Sequence, residues 1–247
     1  MSKQGDRSEP SSERTRWAEV PVGQDRIWDY FQTEAPEAFA GSRGRLGFLA
    51  RRVRGLGRVL NIGVGGGEFE EIALSLGIEV YSLDPSEDTI VALRNRLGMG
   101  DRARHGYGQE IPFEADFFGA VVISEVFEHL PADTIDAILR DVRRVLRPGG
   151  LLVGTVPARE NLTEQTVVCP CCGEVFHRWG HLQQFDGERV RAVLSPHLTV
   201  LEVKERPFVT WGSLNWKGKA LAITKGALYR MGMHGSGEKV YFVGEKR

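Results

Sequence analysis

The residues of this chain best suited to handling a nucleoside lie between Val59 and Asp84. VLNIGVGGGEFEE (Val59–Glu71) carries an apolar run into Gly63-x-Gly65-x-Gly67 and then into a helical pattern. Glycines in such a turn let the backbone approach a ligand, and the helix behind them offers its first amides as donors. Asp84 closes the next apolar run, in YSLDPSED. A carboxylate at the end of that strand can accept both hydroxyls of a ribose. The spacing also separates one nucleoside class from another. A dinucleotide loop, Gly-x-Gly-x-x-Gly begun at Gly63, needs its third glycine where this chain has Glu68. A nicotinamide oxidoreductase is therefore disfavoured.

A second concentration is VVCPCCGEVFHRWGH, where the chain's three cysteines, Cys169, Cys171 and Cys172, stand together. Such clustering makes no disulfide framework and suggests a metal site instead. Cys169-x2-Cys172 followed by glycine has the shape of a zinc knuckle, and His177 and His181 are available to complete a Cys2His2 tetrahedron. A structural zinc on Cys169, Cys172, His177 and His181 is the favoured reading, against a fortuitous cluster of thiols. The spacing between the pairs is too short for a DNA-reading finger.

These residues need elements to position them, and the pattern supplies an alternation. Strands are predicted at 58–62, 78–83, 103–107, 117–124 and 151–156. Helices are predicted at 68–76, 86–97 with Ser86 as cap, and 131–146, where Pro131 suits the first turn and Pro148-Gly149-Gly150 the stop. A basic helix at 44–53 precedes them. A helix at 186–194 and strands at 198–205 and 239–243 follow. Regular βαβ spacing predicts an α/β fold, a doubly wound, mostly parallel sheet with helices on both faces. Within 17–247, read as one domain, helices occupy 17–55, a knuckle-like insertion 157–185 and a lid-like insertion 206–238. Residues 1–16, rich in Ser, Glu and Arg, read as a disordered tail.

Composition narrows the partners. The 247 residues carry 32 Lys+Arg and 33 Asp+Glu, a net charge of −1, which gives no general attraction to nucleic acid. No stretch approaches the roughly 20 apolar residues of a membrane span, and the N-terminus has no apolar signal core. The expected location is cytoplasmic. Aromatics and cations interleave over 207–234, which suits weak contact with a membrane surface or, as the preferred reading, a helical lid over a pocket.

The glycine loop resembles motif I of the class I S-adenosylmethionine-dependent methyltransferases. The resemblance continues through GYGQEIPFEADFFGAVVISEVFEHL (Gly106–Leu130) and LRDVRRVLRPGGLLVGTVP (Leu139–Pro157). It implies a Rossmann-like sheet of seven strands in the order 3-2-1-4-5-7-6, with strand seven antiparallel, and S-adenosylmethionine as cofactor. By the same resemblance Gly63 and Gly65 pass beneath the methionine part, Asp84 holds the ribose, and Pro85 lies beside the adenine. Gln109 and Glu110 would border the adenine edge, and Ser124 and Glu125 the amino-acid moiety. Asn61 stands where the family usually has an acid: it can accept a hydrogen bond but brings no charge. Tyr107 and the pair Phe118-Gly119 also depart from the pattern.

Methyl transfer from a sulfonium needs mainly alignment of the nucleophile and exclusion of water, with a general base if the nucleophile is a hydroxyl. His129, beside Glu128, and His181, in GHLQQF, are the candidate bases. Against the first stands a bracing role for Glu128 and His129 at the following helix. Against the second stands the zinc, since a ligating His181 is no free base. The expected reaction is methylation, at oxygen, of a small or medium-sized acceptor such as a sugar or natural product in a biosynthetic pathway. A macromolecular acceptor, or a non-catalytic S-adenosylmethionine-binding role, are the rivals.

Overall fold

FGAVVIS, the run from Phe118 to Ser124, lacks polar alternation because both of its faces are covered, as in a central parallel strand. Phe118, Val121 and Ile123 enter one core cluster, while Ala120 and Val122 enter another on the opposite face. The computed structural model describes Ile27, Tyr30 and residues 41–210, 215–230 and 237–247. The tail predicted at 1–16 lies outside the described residues, as do most of the first helical segment and parts of the lid-like insertion.

The main alternation runs α1 (Arg43–Val53), β1 (Val59–Ile62), α2 (Glu68–Ser75), β2 (Val80–Asp84), α3 (Glu87–Leu97), β3 (Ala103–His105), β4 (Phe118–Ser124), α4 (Ala132–Val145) and β5 (Leu146–Pro157). A short hairpin follows, β6 (Thr166–Val168) and β7 (Val175–His177). The chain then forms α5 (Gly187–Leu194), β8 (Thr199–Arg206), α6 (Trp216–Arg230) and β9 (Lys239–Glu245). The seven-stranded sheet has the order β3-β2-β1-β4-β5-β9-β8. Strand β9 pairs antiparallel with both β5 and β8. Counted within this sheet alone, that is the order and the single reversal that the resemblance implies.

Local signals account for the helices. Ser86 Oγ accepts the Thr89 amide at 3.3 Å and caps α3, and Gly98 in the left-handed region ends it. In α4, Ile135, Ile138, Leu139, Val142 and Val145 are buried at the spacing of one helical stripe. They pack under β4 and β5 with Val190 and Leu194 of α5, while α1, α2 and α3 cover the other face. Strand β5 begins earlier than the predicted 151, because Leu146 pairs with Phe118, and Lys246, just after β9, bonds Gly149 and Gly150 across the Pro-Gly-Gly turn. That pairing is tertiary, so helix periodicity gave no sign of it.

The insertion after β5 enters and leaves at one point: Ala158 bridges Phe185, and the Arg159 amide bonds the Phe185 carbonyl at 2.7 Å. Its far side is tacked to the segment after β4 by the Leu182 amide on the Glu128 carbonyl, 2.7 Å. In the lid-like insertion, Trp216, Leu221 and Ile223 are exposed, whereas Phe208 packs against Phe48. Among the described residues no helix is long and apolar enough to cross a membrane.

Candidate functional site

Strands β1, β2, β4 and β5 run parallel and so end at one edge of the sheet, where ligands settle in such folds. A cavity of ≈ 550 Å³ opens there, within the range of about 300–1,000 Å³ usual for small-molecule sites. Asn61, Gly63, Gly65, Asp84, Pro85, Ser124, Glu125, His129 and His181 all line it. Residues far apart in the chain are thus brought to one space.

The glycine loop is built by close approach. Gly63 has φ +84°, and a Cβ there would stand 2.7 Å from Val126 Cγ2, so a side chain is excluded both conformationally and sterically. Asp84 is buried and braces the loop: Oδ2 accepts the Val64 amide at 2.7 Å and Oδ1 the Ser86 amide at 2.9 Å. A carboxylate offers about four acceptor positions, enough to hold loop amides and nucleoside hydroxyls at once. Cavity, loop and acid therefore fit an adenosine bearing an amino-acid arm.

Below the loop, Asn61 Nδ2 donates to Glu70 Oε1 at 2.8 Å, and Ser82 Oγ donates to the same oxygen at 2.7 Å. Glu70 is fully buried, and burial raises its pKa against these two hydrogen bonds. An acid at position 61 would face Glu70 across this contact. Asn61 is therefore matched to Glu70. Gly119 has an equally local reason: a Cβ there would lie 1.6 Å from the Leu56 carbonyl oxygen, so no side chain fits.

Glu125 has φ +59° and turns its carboxylate into the cavity wall. Thr155 Oγ1 donates to it at 3.0 Å, Arg45 stands 3.3 Å away, and Lys239 Nζ bonds the same oxygen as Arg45. Burial alone would raise its pKa, but Arg45 and Lys239 outweigh burial and hold it at about 2. Arg45 and Lys239 were not anticipated as site residues. They sit at the start of α1 and the start of β9, and no local spacing marks them.

Beside His129 and His181, which line the cavity, a third imidazole gathers. The rings of His129 and His181 meet edge to face at 4.6 Å, and those of His177 and His181 stack at 4.6 Å. His129 Nδ1 bonds the Gly180 carbonyl at 3.3 Å, and His181 Nδ1 bonds Glu160 Oε2 at 2.5 Å. Burial, and then the neighbouring His181, lower the His129 pKa to about 3. Burial would raise Glu160, but its hydrogen bond to His181 brings it down. Glu128 is buried with neither carboxylate oxygen hydrogen-bonded, and burial followed by the Glu125 charge pushes its pKa well up.

Two predicted groups lie elsewhere. Gln109 and Glu110 line a separate cavity with Tyr81, Arg102 and Arg104, not the one beside Asp84. The cysteines form the turn between β6 and β7, where Gly173 has φ +76° and its amide bonds the Cys169 carbonyl. Amides and thiols of Cys172 and Cys171 lower the Cys169 pKa. His177 and His181 turn instead toward Glu160. Among the described residues the groups of three possible metal ligands are Glu128, His129, His181 and Glu160, His177, His181; no cysteine belongs to either. The Cys2His2 set is not assembled in this arrangement.

Sheet order, glycine loop and buried acid together define the fold as that of the class I methyltransferases. Residues 60–154 match a family described as a methyltransferase domain. The ubiquinone biosynthesis O-methyltransferase of Roseobacter denitrificans is 35% identical over 39% of this chain and 39% of that protein. Its namesake from Xanthomonas axonopodis pv. citri is 32% identical over 52% of this chain and 54% of that protein. The matched region thus spans about half, or less, of these relatives' length. Among solved structures, a SAM-dependent methyltransferase from Archaeoglobus fulgidus superposes with a TM-score of 0.57, at 19% identity, over 85% of this chain and 97% of that one. A chain of the complex between the Haloferax volcanii Trm112 methyltransferase activator and the putative methyltransferase gives 0.63 at 19% identity, over 89% and 97%.

Proposed function

We propose that this chain transfers the methyl group of S-adenosylmethionine to an oxygen of a small acceptor. The observation that carries the reading is the single cavity that joins the Gly63–Asp84 cradle to the His129–His181 wall. When bound, S-adenosylmethionine supplies a methyl group already activated on a sulfonium. The chain's part is to bind and orient. Gly63 and Gly65 would let the backbone lie close beneath the amino-acid arm, Asp84 would take the ribose hydroxyls, and Glu125, fixed by Arg45 and Lys239, would border that arm. Glu160 fixes the His181 proton on Nδ1, which leaves the Nε2 lone pair as the group that would accept the proton of an acceptor hydroxyl. The names of the curated relatives support oxygen as the acceptor atom and a biosynthetic small molecule as its carrier.

Calorimetric titration with S-adenosylmethionine, S-adenosylhomocysteine and NAD tests the cradle; NAD binding as tight as the methylated cofactor overturns it. Turnover of methyl-labelled cofactor against phenols, catechols and sugars tests the acceptor class. Label found only on protein or nitrogen acceptors would remove the oxygen reading.

A further inference from the structure

The hairpin of β6 and β7 stands apart from the cavity. Among the described residues its strands pair only with each other, and no cysteine lines the cavity wall. The Cys169 amide bonds the Glu174 carbonyl at 2.8 Å, and the Gly173 amide returns to the Cys169 carbonyl at 2.9 Å. Gly173, at φ +76°, allows so tight a return. Inside the turn, the amides of Cys172 and Cys171 bond the Cys169 sulfur and hold its thiol below the usual range. The thiolate is the form that ligates zinc, and a C-x2-C turn is how one chain offers two of them to one ion.

Two is also where this chain stops. A structural zinc is almost always closed by four ligands in a tetrahedron. Among the described residues no group of three possible ligands includes a cysteine, so neither Cys171 nor a neighbouring acid or imidazole completes the set. His177, the nearest histidine in sequence, is buried. Its Nδ1 accepts the His181 amide at 3.1 Å, and its Nε2 lies 3.8 Å from Glu160. The turn is therefore half of a site, and it is presented outward. Cys171 and Cys172 are exposed. Val168 and Val175, directly paired at the base of the turn and so on one face of the hairpin, are each 62% exposed.

We propose that two copies of this chain share one zinc ion, each giving Cys169 and Cys172, and that the ion joins them through the β6–β7 tips. A two-fold axis through the ion brings the second pair of thiolates to the empty half of the tetrahedron. The same rotation sets the Val168–Val175 face of one tip against that of the other, an isologous contact that covers both. Each thiol gives up its proton to solvent as it ligates. Two hairpin tips bury little area, so the ion carries the association and the copies separate without it. This ligand set takes the place of the Cys2His2 tetrahedron expected from the sequence, and it does not depend on the methyl transfer proposed above.

The test uses the full chain, stripped with chelator, kept reduced, and titrated with Co²⁺ and Zn²⁺. Half an ion per chain is expected, with a thiolate charge-transfer band in the Co²⁺ spectrum. Light scattering after gel filtration should show the mass double at that point and fall back with chelator. Because each ion needs two chains, apparent metal affinity should rise with chain concentration. Cys169→Ser and Cys172→Ser should each lose both band and dimer, and Cys171→Ser should keep both; circular dichroism reports that each variant remains folded. One ion held by a monomer, a spectrum without the thiolate band, or loss of the band in folded Cys171→Ser overturns the shared site. So does a dimer that survives chelator or persists in folded Cys172→Ser.

Discussion

Asp84 offers the sharpest perturbation, because its loop bonds and its proposed ribose contact separate experimentally. It bonds the Val64 and Ser86 amides at 2.7 and 2.9 Å, and it faces the cavity where a ribose would lie. In Asp84→Ala both amides lose a charged acceptor. An unsatisfied buried donor costs about 1–3 kcal/mol, so two set the expected loss of folding stability at about 2–6 kcal/mol. In Asp84→Asn one amide keeps an acceptor and the other meets an NH2 group, so about half of that is expected. Ribose contacts add a separate loss in binding: about 1.5–3 kcal/mol for a hydrogen bond to a charged group, or roughly 10–150-fold in Kd. Urea denaturation without ligand reads the first quantity, and calorimetry of folded Asp84→Asn with S-adenosylmethionine reads the second. If Asp84→Asn loses stability yet binds the cofactor with wild-type affinity, Asp84 is only a brace for the loop, and the cradle has been misread.

Three further outcomes follow from the packing and charge. Gly119→Ala drives a Cβ into the Leu56 carbonyl and should cost more than the about 1–3 kcal/mol of ordinary overpacking, read as a lowered denaturation midpoint. Asn61→Asp sets a second buried carboxylate against Glu70, so its stability deficit at pH 7 should shrink as pH falls and one of the pair is protonated; a deficit independent of pH contradicts the contact. Glu125 titrates near 2 in the folded chain against an ordinary 4.5, so its stabilisation is fully present above about pH 4.5 and is lost as pH falls toward 2. The shift corresponds to about 3 kcal/mol, and Glu125→Gln should flatten that part of the stability profile.

The acceptor side of the site shows where reading a sequence stops. His129 and His181 were both legible as candidate bases from residue type, but their 4.6 Å contact and the role of Glu160 arise only when the insertion folds back on the segment after β4. The turn at CPCCG was legible, because a Pro- and Gly-bearing turn is local. The partners of His177 and His181 were not, because both meet Glu160, which lies outside the CPCCG stretch. Arg45 and Lys239 carried no signal at all, and Lys239 lies 114 positions from the carboxylate it neutralises.

The alternation of strands and helices, the Gly63 loop and the acid at Asp84 were determined by the sequence by itself. Each depends on periodicity or on neighbours within one βαβ unit, and such short-range preferences are written in consecutive residues. Which charges meet Glu125, why position 119 must be glycine, and how one carboxylate and two imidazoles come to share a wall were decided only by the tertiary structure. Those contacts join segments whose separation along the chain sets no constraint on their distance in space; the packing of the sheet sets it.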